Sequence, residues 1–90
     1  MPSPVYSRAV ELMEAEIGTE LVALDADAGS CFGFNEVATA VWRKLEQPKT
    51  FEQLRDELLA EFEVGADQCS KELNDLLEDF LAKGLVTKGI

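Results

Sequence analysis

Short apolar runs separated by glycine-containing turns mark residues 9–34 as strands, and from Asn35 onward the period becomes helical. In "AVELMEAEI" (9–17), Val10, Leu12 and Glu14 share one parity and Met13, Ala15 and Ile17 the other, which fits a strand better than a helical stripe. Gly18 ends that run. "ELVALD" (20–25) follows after a Gly-Thr break, the shape of a hairpin. "ADAG" (26–29) supplies a second turn, and Cys31–Phe34 a third strand. Three short strands joined by tight turns predict an antiparallel meander. Residues 1–8 hold two prolines and two serines and read as a flexible N-terminus ahead of a single domain over 9–90.

Asn35 suits the N-cap of a first helix near 36–46, whose apolar residues are Ala38, Val41, Trp42 and Leu45. Pro48 stops it. Thr50, with Gln53 three residues on, makes a capping box for a second helix near 51–62, where Phe51, Leu54, Leu58 and Phe62 mark one face. After Gly65 a third helix near 67–83 buries Cys69, Leu73, Leu76, Leu77 and Phe80. Gly84 is its natural stop, and "LVTKGI" trails as an extended tail. Strands first and helices afterwards predict an α+β fold with helices covering one sheet face.

Composition removes several functions. Ninety residues with 47% hydrophobic side chains make one folding domain, and no apolar stretch approaches a membrane span. The start "MPSPVYSRAV" shows no secretory pattern, so a cytoplasmic protein is expected. The net charge is −10, and the eight basic residues are scattered singly, which disfavours a nucleic-acid partner. That acidity either keeps the protein soluble or matches a basic partner.

There is no histidine, and Cys31 and Cys69 stand far apart, so the usual metal sites and base-activated nucleophiles are missing. Both cysteines are expected to act as small buried apolar side chains. The carboxylate pairs Glu57/Glu61 and Asp75/Asp79 read as solvated helix faces. No phosphate loop is present, and no Asp-Ser-Leu marks a phosphopantetheine carrier. The inventory points away from an enzyme and names no cofactor.

Recognition remains. A meander has edge strands with unpaired backbone groups, and an extended peptide can add to such an edge. Cys31–Phe34 is the candidate, because Gly33 would let another backbone come close. The competing reading is that Gly33 relieves crowding under the helices.

"GTELVALDADAGSCFGFNEVATAVWRKLEQPKTFEQLRDELLAEFEV", with an amphipathic helix and "LAKGLV" behind it, resembles the PqqD-like family, the recognition elements of ribosomally made, modified peptide pathways. The resemblance covers roughly residues 10–87, through "G-x-x-F-G-F-N-E-V-A-x-x-V-W", "P-K-T-F-E-Q-L" and "L-x-K-G-L-V". It implies a winged-helix-like domain, a three-stranded antiparallel sheet followed by three helices. A precursor's leader peptide would lie along the third strand, in a groove closed by the third helix. The "FGFN…VW" portion looks more like the standalone leader-binding subunit of lasso-peptide pathways than the quinone-cofactor protein. Such a subunit presents the precursor to a cysteine peptidase that removes the leader. Cys31 departs from the pattern, since the family often carries an aromatic residue there.

Carried onto this chain, the peptide-binding residues would be Cys31, Phe32, Gly33 and Phe34 on the strand, with Glu72, Leu73, Leu76, Leu77 and Asp79 on the third helix. Alternation places Phe32 and Phe34 on one face and Cys31 and Gly33 on the other. Leu73 and Phe80 lie mid-stripe, as core. Leu76 and Leu77 flank the stripe on opposite sides, Glu72 and Asp79 extending the first flank and Ser70, Asn74 and Leu81 the second. The sequence leaves open which flank faces the peptide. Trp42 reads as core. The rival readings are a winged-helix DNA-binding regulator and an acidic protein–protein adaptor. The first would need basic residues on a third helix where "DQCSKELNDLLEDFLAK" carries five acids against two lysines.

Overall fold

Two hairpins organise the strand region of the computed structural model, which describes residues 3–89. In chain order the elements are β1 (Val5–Arg8), β2 (Met13–Ile17), β3 (Glu20–Asp25), β4 (Ser30–Phe34), α1 (Glu36–Lys44), β5 (Lys49–Thr50), α2 (Phe51–Glu61), α3 (Ala66–Ala82) and β6 (Val86–Gly89). The meander forms as the alternation requires, with β2, β3 and β4 antiparallel in that order. Gly18, at φ 66°, opens the two-residue turn between Ile17 and Glu20, where a tight hairpin needs a left-handed residue. The second turn is held by Asp25: its carbonyl accepts from Gly29 N at 2.8 Å and its Oδ1 from Asp27 N at 3.1 Å.

The ends of the chain differ from expectation. Residues 5–8, read as part of a flexible N-terminus, form β1, and Tyr6 is buried at 6% exposure. β1 is the middle strand of a second sheet, ordered β5-β1-β6, and the stretch expected as an extended tail supplies its strand β6. Met1, Pro2 and Ile90 lie outside the described residues. The physical reason is partner distance: Val5 faces both Thr50 and Gly89, so nothing local announces the pairing. The first meander strand is correspondingly shorter than 9–17. It begins at Met13, while Val10 and Leu12 pack half-buried against the core.

The helices lie close to their expected spans. Asn35 caps α1, its Oδ1 accepting from Ala38 N at 2.8 Å. Thr50 and Gln53 form the capping box of α2 in both directions. The α+β class and the three-helix order therefore stand. The core centres on Trp42, fully buried, with Phe34 at 5.7 Å and Phe80 at 6.0 Å between ring centroids. The Trp42 indole N–H donates to Glu14 Oε2 at 2.9 Å, and the Arg8 guanidinium lies 4.4 Å from the ring centroid, so one side chain ties both sheets to α1. No helix among the described residues is long and apolar enough to cross a membrane.

Candidate functional site

β4 pairs with β3 on one side, and among the described residues no strand pairs with its other side. Alternate residues of an edge strand turn their N–H and C=O groups outward, so β4 offers a row of backbone donors and acceptors. Its geometry is fixed from behind. Phe34 is buried at 4% exposure against Trp42 and Phe80, and its carbonyl accepts from the buried Thr39 hydroxyl at 3.2 Å. Phe32 shares that inner face, half-buried against the core, whereas Cys31 and Gly33 are exposed on the outer face.

Gly33 can be judged directly. A Cβ built there meets nothing within 4 Å, and the residue points away from the helices. Crowding under the helices therefore does not account for the glycine.

At the C-terminal end of β4 the chain turns into α1 and meets α3. Asn35, Val37, Glu72, Asp75 and Leu76 line a hollow of about 340 Å³. Val37 and Glu72 also border a second hollow of about 230 Å³, which runs inward over Leu58, Phe62, Val64, Cys69 and Leu73. Together they form a groove with an apolar floor along one flank of α3, with Glu72 and Asp75 on its wall. On α3 the flank carrying Glu72 and Leu76 lines this groove, and Leu77 is buried at 1% exposure. Leu73 is fully buried and forms part of the floor. Asp79 lines neither hollow and pairs with Lys83 at 2.8 Å.

Cys31 is exposed rather than buried, while Cys69 is buried as expected. Burial pushes the Cys69 thiol above its ordinary pKa, and the neighbouring Glu72 carboxylate adds to the rise against an opposing pull from Arg55. Such a thiol stays protonated and unreactive at neutral pH. Glu57 and Glu61, read as a solvated face, reach back to Lys49 at 3.2 Å and Lys44 at 2.8 Å.

Asn35, Val37 and Asp75 were not singled out as site residues. Val37 carried a usable signal, since it is the apolar residue in the first turn after the edge strand and lies outside the buried stripe of α1. Asp75 follows once Leu76 is known to face the groove.

An uncharged, anchored, open sheet edge running into an apolar groove defines a small α+β domain suited to receiving an extended chain. The chain belongs to the PqqD family: the model of that family, described as "Coenzyme PQQ synthesis protein D (PqqD)", matches residues 20–86. Among solved structures, TbiB1 in complex with the TbiA(beta) leader peptide is similar, at 29% sequence identity and a TM-score of 0.77, over 89% of this chain and 93% of that one. No curated protein matches the chain.

Proposed function

We propose that this protein captures the leader peptide of a ribosomally made precursor by strand addition to β4 and presents the precursor to a modifying enzyme. The observation that carries this reading is the edge of β4, unpaired among the described residues, opening into the groove between α1 and α3. Membership of the PqqD family supports it, as does the likeness to TbiB1, a protein solved with a leader peptide bound. Cys31–Phe34 supply the pairing backbone, and Glu72 and Leu76 border the bound peptide. Leu73 shapes the groove from beneath, whereas Leu77 is core and Asp79, paired with Lys83, stands apart from both hollows.

The protein acts in the cytoplasm as a non-catalytic peptide chaperone, needs no cofactor, and hands its cargo to a cysteine-type leader peptidase of a lasso-peptide pathway. A DNA-binding role fits poorly, because the exposed surface of α3 is acidic.

Calorimetry with the synthetic leader of the pathway's precursor peptide tests the proposal. Binding in the nanomolar to micromolar range, about −8 to −12 kcal/mol, is expected, with little loss in moderate salt. Leu76→Glu, which puts a charge on the groove wall, should weaken it at least tenfold, or about 1.4 kcal/mol. The control is Glu78→Ala, an exposed position on α3 that should change nothing. Wild-type protein that ignores the leader, or releases it in moderate salt, would refute the reading.

A further inference from the structure

The end of β4 is closed by groups of the chain itself. The buried Thr39 hydroxyl donates to the Phe34 carbonyl at 3.2 Å, and the Thr39 amide donates to the Asn35 carbonyl at 2.8 Å. Two successive carbonyls at the end of the docking edge are therefore already engaged by one residue of α1. Asn35 still has extended backbone, so alternation carries its side chain to the outer face with Cys31 and Gly33. It is exposed. It borders the hollow beside Leu76 and also one of about 310 Å³ on the outer sheet face, so it stands where the two meet.

The Asn35 carboxamide is half used. Its Oδ1 accepts from Ala38 N at 2.8 Å and caps α1. A backbone N–H can only donate, which fixes the oxygen on that side and turns Nδ2 away from it. Nδ2 carries two N–H donors and has no partner among the described residues. A cap requires only the oxygen: aspartate and serine cap as well as asparagine, and aspartate gains further from the helix dipole. In a chain that already carries 18 acidic residues, nothing in the fold calls for the amide half.

We infer that the Asn35 side-chain amide donates to a main-chain carbonyl of the peptide added to β4, and so extends the backbone ladder one rung past the end of the strand. This rests on the strand-addition reading above. Beyond Gly33 the protein chain turns away into α1, and a peptide that continues straight leaves the strand's own backbone behind. A peptide carbonyl covered there without a donor is costly, and Asn35 Nδ2 is the donor at that place. Because Oδ1 is tied to Ala38 N, the donor is held before the peptide arrives and little rotamer freedom remains to be lost. The contact is to main chain, so it fixes register and does not read the leader's side chains. One residue thereby ends β4, starts α1 and sets how far the peptide's paired segment reaches.

Asn35 and Asn74 are the two asparagines of the chain, so isotope-labelled asparagine gives two pairs of side-chain amide signals in an NMR spectrum of the full chain. Asn74 is exposed on α3 and borders neither hollow, which makes it the internal reference. Saturation with the synthetic leader should shift the Asn35 pair and slow its exchange with solvent, while the Asn74 pair stays in place. Asn35→Ser keeps a capping oxygen, adds no charge and is too short to reach the peptide. Its thermal melt should stay near the wild type while leader affinity falls about fivefold, the worth of one ordinary hydrogen bond. Single esters placed along the leader backbone weaken one carbonyl acceptor at a time. One of them should cost wild-type binding about as much, and nothing further against Asn35→Ser. An Asn35 pair that does not move in the saturated complex overturns the inference, as does a folded Asn35→Ser that binds leader like the wild type. The NMR measurement uses the unaltered protein, so it decides the matter even where Asn35→Ser loses its fold. Backbone amide protection of residues 31–34 is measured in the same complex. Its absence removes the edge reading and this inference together, whereas its presence beside an unmoved Asn35 pair removes the inference alone.

Discussion

β2 and β4 are the two edges of one three-stranded sheet, and they are built on opposite principles. Every residue of β2, "MEAEI", is exposed, and its two glutamates point to the inner face, where Glu14 meets the Trp42 indole and Glu16 pairs with Arg43. Inward-pointing charges are one of the ways proteins keep an edge from pairing with strangers. β4, "SCFGF", has no charge at all, and its inner face is fastened to the core through Phe34. One edge is guarded by charge and exposed, the other anchored in the core and, among the described residues, left open. On the strand-addition reading proposed above, it is the anchored edge without charges that docks the peptide, and the guarded one that does not.

The contrast in anchoring should appear first in stability. Phe34→Ala removes a buried ring from between Trp42 and Phe80 and should cost about 3–5 kcal/mol in denaturant unfolding. Met13→Ala, on the guarded edge, should stay within about 0.5 kcal/mol. Similar losses at both positions would mean that β4 is no better held than β2.

Ala15 and Gly33 sit in one row on opposite edges, both facing Val22, and make a matched pair for proline. Gly33→Pro should weaken leader binding more than tenfold, about 1.4 kcal/mol, because it removes a donor and fixes φ on the docking strand. Ala15→Pro should leave affinity within about twofold. Circular dichroism on both variants confirms that the comparison is between folded proteins. Equal effects on binding would break the asymmetry.

Removing the guard is a subtler change. Glu14→Gln keeps an acceptor for the Trp42 indole, and Glu16→Val removes the exposed ion pair with Arg43, itself worth about 0–1 kcal/mol. The double variant should fold normally but associate through β2, raising the mass seen by light scattering with concentration. A monomer at every concentration would show that these glutamates do not protect the edge.

The sequence made the middle of the molecule readable because its signals are local. The turns at Gly18-Thr19 and 26–29 gave β3 and β4, Asn35 and Thr50 gave two helix starts, and the apolar stripe of α3 gave its buried side. The second sheet was hidden because β1 finds partners only at residues 49–50 and 86–89, which no window around Tyr6 contains. Of the site, the edge strand and its facial alternation were legible from residues 31–34. The orientation of α3 was not, since Leu76 and Leu77 are equivalent by spacing; in the fold Leu76 lines the hollow beside Val37 and Asn35, and Leu77 is buried. Asp79 was grouped with Glu72 by the same spacing, but its position leaves it beside Lys83 and outside the hollow.

Amide hydrogen exchange of the chain with and without the leader peptide tests the central claim most directly, because both edges report in one experiment. The account predicts that exchange slows across Cys31–Phe34 when leader is bound and stays unchanged across Met13–Ile17. Slowing at Met13–Ile17 in place of Cys31–Phe34, or bound leader with no protection anywhere on β4, would contradict it.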